Sequence, residues 1–462
     1  MRTVTWIAAV LALLLAVPAH AGDEPDLKAV ADRFAAPLVE AEAVVGMAIG
    51  IVRGEERVTI GYGRLAPGSD KAPDGDTVYE IGSITKVFTG YLLADMVRDK
   101  TVRLDQPVRE LLPEGTKLPT FKEQEITLVS LATHTSGMLR MPLNFAPKDP
   151  KNPYADYDRK RMFAFLANWD LPRAPGEKCL YSNLGVALLG QALAMKAGTT
   201  YEALLTERIL RPFGMKSTAI AFTDDMKKRL APGHNGDGDP QANWDLNSMA
   251  PAGAIRSTAN DMLTFLVKHF EPGPTVTTAL TVHFDGGEKG TKVGLGWHAG
   301  KIPGSWWHNG QTGGYHSMAI VIPAKRLAIV VLTNTAVGLV DDMASRISVR
   351  LSGGEIEPQK VRRAVKVEPE ILESYVGRYT IVPGMTVAVT RNDRGLSIQL
   401  TGQPRVRIYA ESETAFFLRV VAARVEFEKD EAGKVARLVI HQNGRKTVAT
   451  RLPDPPEAPE KK

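Results

Sequence analysis

The sequence predicts an α+β protein: an antiparallel sheet flanked by helices, with a helical subdomain, followed by a small antiparallel β-barrel. Three observations predict it. Stretches with helical spacing and good helix formers lie at 24–43, 83–98 and 184–197. Three strand-like runs follow one another directly at 306–312, 315–323 and 327–335. From Leu372 onward, short alternating runs are separated by turn signals at Asn392-Asp393-Arg394-Gly395, Asp430-Glu431-Ala432-Gly433 and Gln442-Asn443-Gly444. Evenly spaced short strands of that kind argue for a barrel or sandwich.

Taken in order, the elements divide a chain of 462 residues, long enough for two or more domains. Residues 1–21 read as a secretory signal peptide. Arg2 gives a positive start, 7–17 are apolar, and Ala19-His20-Ala21 is a small-x-small cleavage site. An exported protein, periplasmic or secreted, is expected. No later stretch approaches 18 apolar residues, so no span is expected after cleavage. Helix 24–43 leads into two strands over 45–65, turning at Arg53-Gly54-Glu55-Glu56. Helix 184–197 ends at Gly198, and Thr199 with Glu202 has capping-box spacing for a further helix through 209. Pro, Gly, Asp and Asn dominate 140–160 and 219–256, long loops of the kind that carry function. A helix over 340–351 closes a first domain at 22–353. A polar linker (354–369), the barrel (370–452) and a Pro/Glu/Lys-rich tail (453–462) follow.

Net charge is +5, and the excess is not clustered, which argues against nucleic acid as a partner. Cys179 is the only cysteine, so no intrachain disulfide forms, and it reads as a small packing residue.

The chemistry starts at Ser83, the only serine with a lysine three residues later. On a helix, Lys86 lies one turn along on the same face, where it can take the hydroxyl proton. That requires its pKa to fall by about three units from about 10.4. At a helix start the N–H of Ser83 is unpaired and can stabilise an oxyanion. Tyr181 is the only tyrosine followed at +2 by asparagine. A nearby ammonium would lower its pKa and let it relay the proton. Asn183 offers an amide to hold lysine and substrate together. Outside His20-Ala21-Gly22 at the expected cleavage site, H-x-G occurs at His234, His298 and His308. Only His308-Asn309-Gly310 sits on a predicted strand, where small residues admit a substrate backbone and the Gln311 N–H becomes a second oxyanion donor. His134 follows an apolar run and reads as packing. The histidines show no metal-ligand spacing, and G-x-S-x-G is absent, so neither a metal site nor an α/β-hydrolase is expected.

With these motifs in order, the chain resembles the serine beta-lactamase and penicillin-binding-protein superfamily, in its class C-like branch. The likeness spans roughly 25–350. It includes Tyr79-Glu80-Ile81-Gly82, Leu131-Ala132-Thr133-His134-Thr135-Ser136-Gly137, Pro175-Gly176-Glu177 and Pro212-Phe213-Gly214-Met215. The resemblance implies a beta-lactamase-like fold, Ser83 as nucleophile and Lys86 as its partner. Tyr181 and Asn183 match Y-x-N, and His308 to Gly310 the strand motif. His308 replaces the lysine of K-T-G, which turns the expectation from lactams toward D-amino-acid peptides or esters. Asn309 is expected to face the cleft. The C-terminal segment resembles a lipocalin-like accessory domain.

The expected function is therefore an exported serine hydrolase working through an acyl-enzyme on a small-molecule or peptide substrate, peptidoglycan-derived among the candidates, with no cofactor. Peptidase, esterase and class C-type lactamase stay open. A penicillin-binding sensor with little turnover is the reading from another class.

Overall fold

The computed structural model describes residues 25–453 except 288–289, 404, 420, 422 and 443. The expected signal peptide lies outside the described residues, as does the tail beyond Pro453.

Helix α1 (Leu27–Glu40) is shorter than its predicted span because Asp26 caps it, accepting from the Ala29 N–H at 2.6 Å. The hairpin β1 (Gly46–Arg53) and β2 (Glu56–Gly63) follows, then α2 (Thr85–Arg98) and α3 (Asn183–Lys196). Strands β3 (Trp306–Gln311), β4 (His316–Ile322) and β5 (Leu327–Thr333) precede α4 (Leu339–Leu351). The sheet runs β2-β1-β5-β4-β3 and continues through two-residue strands at His298–Ala299, Lys292–Val293 and Phe284–Asp285. The first and last long strands are neighbours, paired from Met47–Thr333 to Arg53–Leu327.

Both faces of the central strands are covered, which is why β4 and β5 read as unbroken apolar runs. Met47, Ile49, Ile329 and Val331 pack against Phe34 of α1 and Met343 of α4. On the opposite face, Ala48, Val330 and Leu332 share a core with Phe88 and Leu92 of α2 and with Phe265. Phe88 and Phe265 stack with centroids 3.9 Å apart, and each such burial contributes about 1.5–3 kcal/mol. Helix α2 is buried almost all round, Lys86 included, so it is a core helix.

The capping box at Thr199 is not formed. Thr200 caps instead, accepting from the Ala203 N–H. Glu202 accepts from the Ile220 and Ala221 N–H groups at 2.9 and 2.7 Å, and two unpaired loop donors hold it there. The helix runs Tyr201–Leu205 and continues as a wider turn through Thr206–Leu210.

The second sheet has nine antiparallel strands around Tyr375, Tyr379, Phe416, Phe427 and Leu438. Its two edges, Val406–Arg407 and Tyr409–Ala410, are one residue apart in sequence, so the sheet curls nearly closed. It grips the first unit at two places. Arg419 donates to the carbonyls of Ala41 and Glu42, both at 2.7 Å. Tyr409 donates to Asp237 at 3.1 Å, and Arg394 pairs with Asp239. No helix of the described residues is long and apolar enough to cross a membrane.

Candidate active site

Ser83 is the middle residue of a 3-10 turn, Gly82–Ile84, that feeds α2. The sequence had suggested a plain helix start, and the tighter turn comes from Gly82 at φ +51°. The preceding Glu80 is buried, pairs with buried Arg256 at 3.5 Å and accepts from the Trp244 N–H at 2.9 Å.

The turn lies hard against β3. A Cβ on Gly82 would meet Gln311 N at 2.6 Å, and one on Gly310 would meet Ile81 O at 2.0 Å and Ser83 N at 2.8 Å. Glycine at both positions is what lets the Ser83 and Gln311 amides sit together. Gly310→Ala should therefore leave far-UV circular dichroism intact while lowering kcat/KM about 10²-fold, the cost of a misplacement near 1 Å. Full activity in that variant would show that the close approach is unimportant.

Lys86 is fully buried. Its Nζ lies 2.8 Å from Ser83 Oγ and donates to the Ala252 carbonyl at 2.6 Å. Burial, and then the charge of Arg140, hold its pKa well below the usual lysine value. Tyr181 comes in from the segment before α3, with Lys86 Nζ 4.8 Å from its ring centroid. The expected drop in the tyrosine pKa does not occur. Burial pushes it up to about 12, only partly offset by a hydrogen bond to Ser83 and by Arg140. Burial thus works against the charged form of both groups, the ammonium of Lys86 and the phenolate of Tyr181.

Asn183 does not hold Lys86, whose partner is the Ala252 carbonyl. Its Nδ2 lies 3.7 Å from Met141 Sδ, and its Oδ1 is buried without a partner. It lines the cleft with Ser83, Tyr154, Trp244, Leu246, Met249, Ala252, Gln311 and Thr312. Asn309 points away from the cleft, donating to Asp341 of α4 at 2.7 Å. Strand alternation sends it to the opposite face from His308.

Residues far apart in sequence meet behind Tyr181. One ring nitrogen from each of His134, His298 and His308 lies within 4.8 Å of the others. His134, expected to be simple packing, stacks on Tyr181 with centroids 4.4 Å apart. The Ser182 N–H donates to His134 Nδ1 at 3.2 Å, which leaves the proton on Nε2. His308 Nδ1 faces the Asn309 carbonyl at 2.5 Å, so its Nε2 carries the lone pair. A metal ion on all three rings would strip His134 of that proton and turn Nδ1–H against the Ser182 N–H. His134 Nε2, His298 Nδ1 and His308 Nε2 are buried without a hydrogen-bond partner among the described residues.

Burial holds His134 and His308 well below the usual histidine range, and takes His298 and the separately buried His269 to about 4. Unfolded, each ring takes up its proton near pH 6.5. The stability from keeping them neutral is complete above about pH 6.5 and is lost as pH falls through the folded value. His298 and His269 each forfeit on the order of 3 kcal/mol by pH 4. Urea midpoints should fall steeply between about pH 7 and 4, and His269→Phe should flatten that slope.

The chain matches the family described as Beta-lactamase over residues 31–353 and a domain of unknown function, DUF3471, over 361–451. It is 30% identical over 386 residues to the D-alanyl-D-alanine-carboxypeptidase/endopeptidase AmpH of Escherichia coli strain K12, covering 77% of this chain and 98% of that protein. It is 26% identical to the crystal structure of a beta-lactamase/D-alanine carboxypeptidase from Yersinia pestis complexed with citrate, with a TM-score of 0.64 over 71% of this chain and 98% of that one. A class C beta-lactamase shares the fold at a TM-score of 0.62 and 22% identity, covering 74% of this chain and 99% of that one. Fold and family together define a serine hydrolase of the beta-lactamase and penicillin-binding-protein superfamily. The chain belongs to the Beta-lactamase family, in its class C-like branch.

Proposed function

We propose that this hydrolase is a D-alanyl peptidase, cleaving the amide before a C-terminal D-amino acid, with Ser83 as nucleophile. One observation carries the reading: Lys86 Nζ, fully buried, 2.8 Å from Ser83 Oγ and spending an N–H on the Ala252 carbonyl. A neutral amine so held keeps its lone pair for the serine proton. Ser83 Oγ bonds to the carbonyl carbon as its proton passes to Lys86. The Ser83 and Gln311 amides take the oxyanion. The C–N bond breaks as Tyr181 supplies a proton to the leaving nitrogen and takes one back from Lys86; water then bonds to the acyl carbon as its proton passes to Lys86, and the ester bond breaks as that proton returns to Ser83 Oγ.

The substrate class is supported by the two relatives whose names include D-alanine carboxypeptidase. It is supported too by His308, buried and neutral where a lactamase of this branch carries lysine. Export by the signal peptide expected at 1–21 is part of this proposal, and it would bring envelope peptides within reach.

The test is a peptide ending in D-Ala-D-Ala, assayed for released D-alanine beside a chromogenic cephalosporin. Steady D-alanine release with slow lactam opening is the expected result. Fast lactam opening without D-alanine release would replace this reading with a lactamase, and a single burst of acylation would replace it with a sensor.

A further inference from the structure

We propose that Arg140 anchors a free carboxylate on the substrate and so selects anionic substrates, an assignment that rests on the peptidase reading above. The backbone of Arg140 is built into the site. Its carbonyl accepts from the Asn183 and Leu184 N–H groups at 3.0 and 3.3 Å, and the Leu139 carbonyl accepts from Ser182 Oγ at 2.6 Å. The segment is thereby tied to the first turn of α3, directly beside Tyr181 and Asn183.

The side chain reaches the same place. Its guanidinium carbon lies 4.9 Å from the Tyr181 ring centroid, and its charge is felt at Lys86, His134, Tyr154 and Tyr181. Tyr154 and Asn183 line the cleft with Ser83. Yet this arginine is exposed and, among the described residues, forms no ion pair and no side-chain hydrogen bond. None of the cleft-lining residues is acidic. A planar five-donor fork, carried on a tethered backbone beside the cleft and left without a carboxylate, fits a carboxylate brought by the ligand. Lys86, His134 and His308, the other basic groups beside Tyr181, are buried, and burial disfavours the charged form of each, so none competes for that role. The C-terminal carboxylate of a D-amino-acid peptide has the required charge, planarity and nearness to the scissile bond.

The experiment compares two peptides ending in D-Ala-D-Ala, one with the free acid and one with its carboxamide. The quantity read is the ratio of their kcat/KM values. The parent should prefer the acid, and Arg140→Gln should shrink that preference about 10- to 100-fold, the worth of a charge-assisted pair, mostly through KM. Arg140→Lys, which keeps charge but not the fork, should retain part of it. An unchanged ratio overturns the anchor, including the case where both rates fall together, as a structural role would give. A parent that releases neither D-alanine from the acid nor D-alaninamide from the carboxamide overturns the peptidase reading instead. The ratio is then taken for acylation by benzylpenicillin and its methyl ester, followed by intact mass, and an unchanged ratio there overturns the anchor on its own.

Discussion

Ser83→Ala should lower turnover at least about 10⁴-fold on any substrate the protein cleaves, as loss of the nucleophile does in serine hydrolases. The effect should fall on kcat and spare KM. Alanine removes the hydroxyl without disturbing the turn, because the tight contacts are made by Gly82 and Gly310 and by the backbone of residue 83. The amides that would receive the oxyanion stay where they are, so the substrate still binds. The same variant should give no covalent mass increase with a penicillin or a fluorophosphonate. Near-normal turnover, or an adduct on a different residue, would remove Ser83 from the mechanism.

Lys86→Met should cost about 10²- to 10⁴-fold in kcat, the range for loss of a positioned base, while leaving the protein folded. The two effects separate because of where the amine sits. A fully buried nitrogen is costly to desolvate, and methionine fills much the same volume without that cost. The Ala252 carbonyl loses its donor, at about 1–3 kcal/mol. With the two terms opposed, the melting temperature should stay within about 10 °C of the parent. A variant that keeps its activity would show that something else takes the serine proton. One that unfolds would make Lys86 a structural residue.

Much of this is legible in the amino-acid sequence. Ser83 and Lys86 are one helical turn apart, and no tertiary information is needed to put them together. The hairpin at Gly54 and the strands β3 to β5 follow from alternation and turn residues. The Ala252 carbonyl was not legible, since a backbone acceptor leaves no mark in residue type. It lies in the 219–256 stretch that composition marks as a functional loop. The meeting of His134, His298 and His308 was hidden for another reason. It depends on sheet register, with His298 opposite Trp307, the neighbour of His308, and on helix packing that brings in His134. No local spacing encodes that. The raised tyrosine pKa has the same origin, because burial belongs to the fold. The outward turn of Asn309 was readable: once His308 and Gly310 are assigned to one face, alternation sends the residue between them to the other.

The loop at 236–239 is held by Tyr409 and Arg394, and five residues past Asp239 the chain reaches Trp244 on the cleft wall. The cleft wall thus has one mooring on a module that, among the described residues, supplies none of the cleft lining. Changes in the curled sheet can widen or narrow the doorway while the reacting atoms keep their places. In such an architecture, substrate range can drift independently of catalytic power.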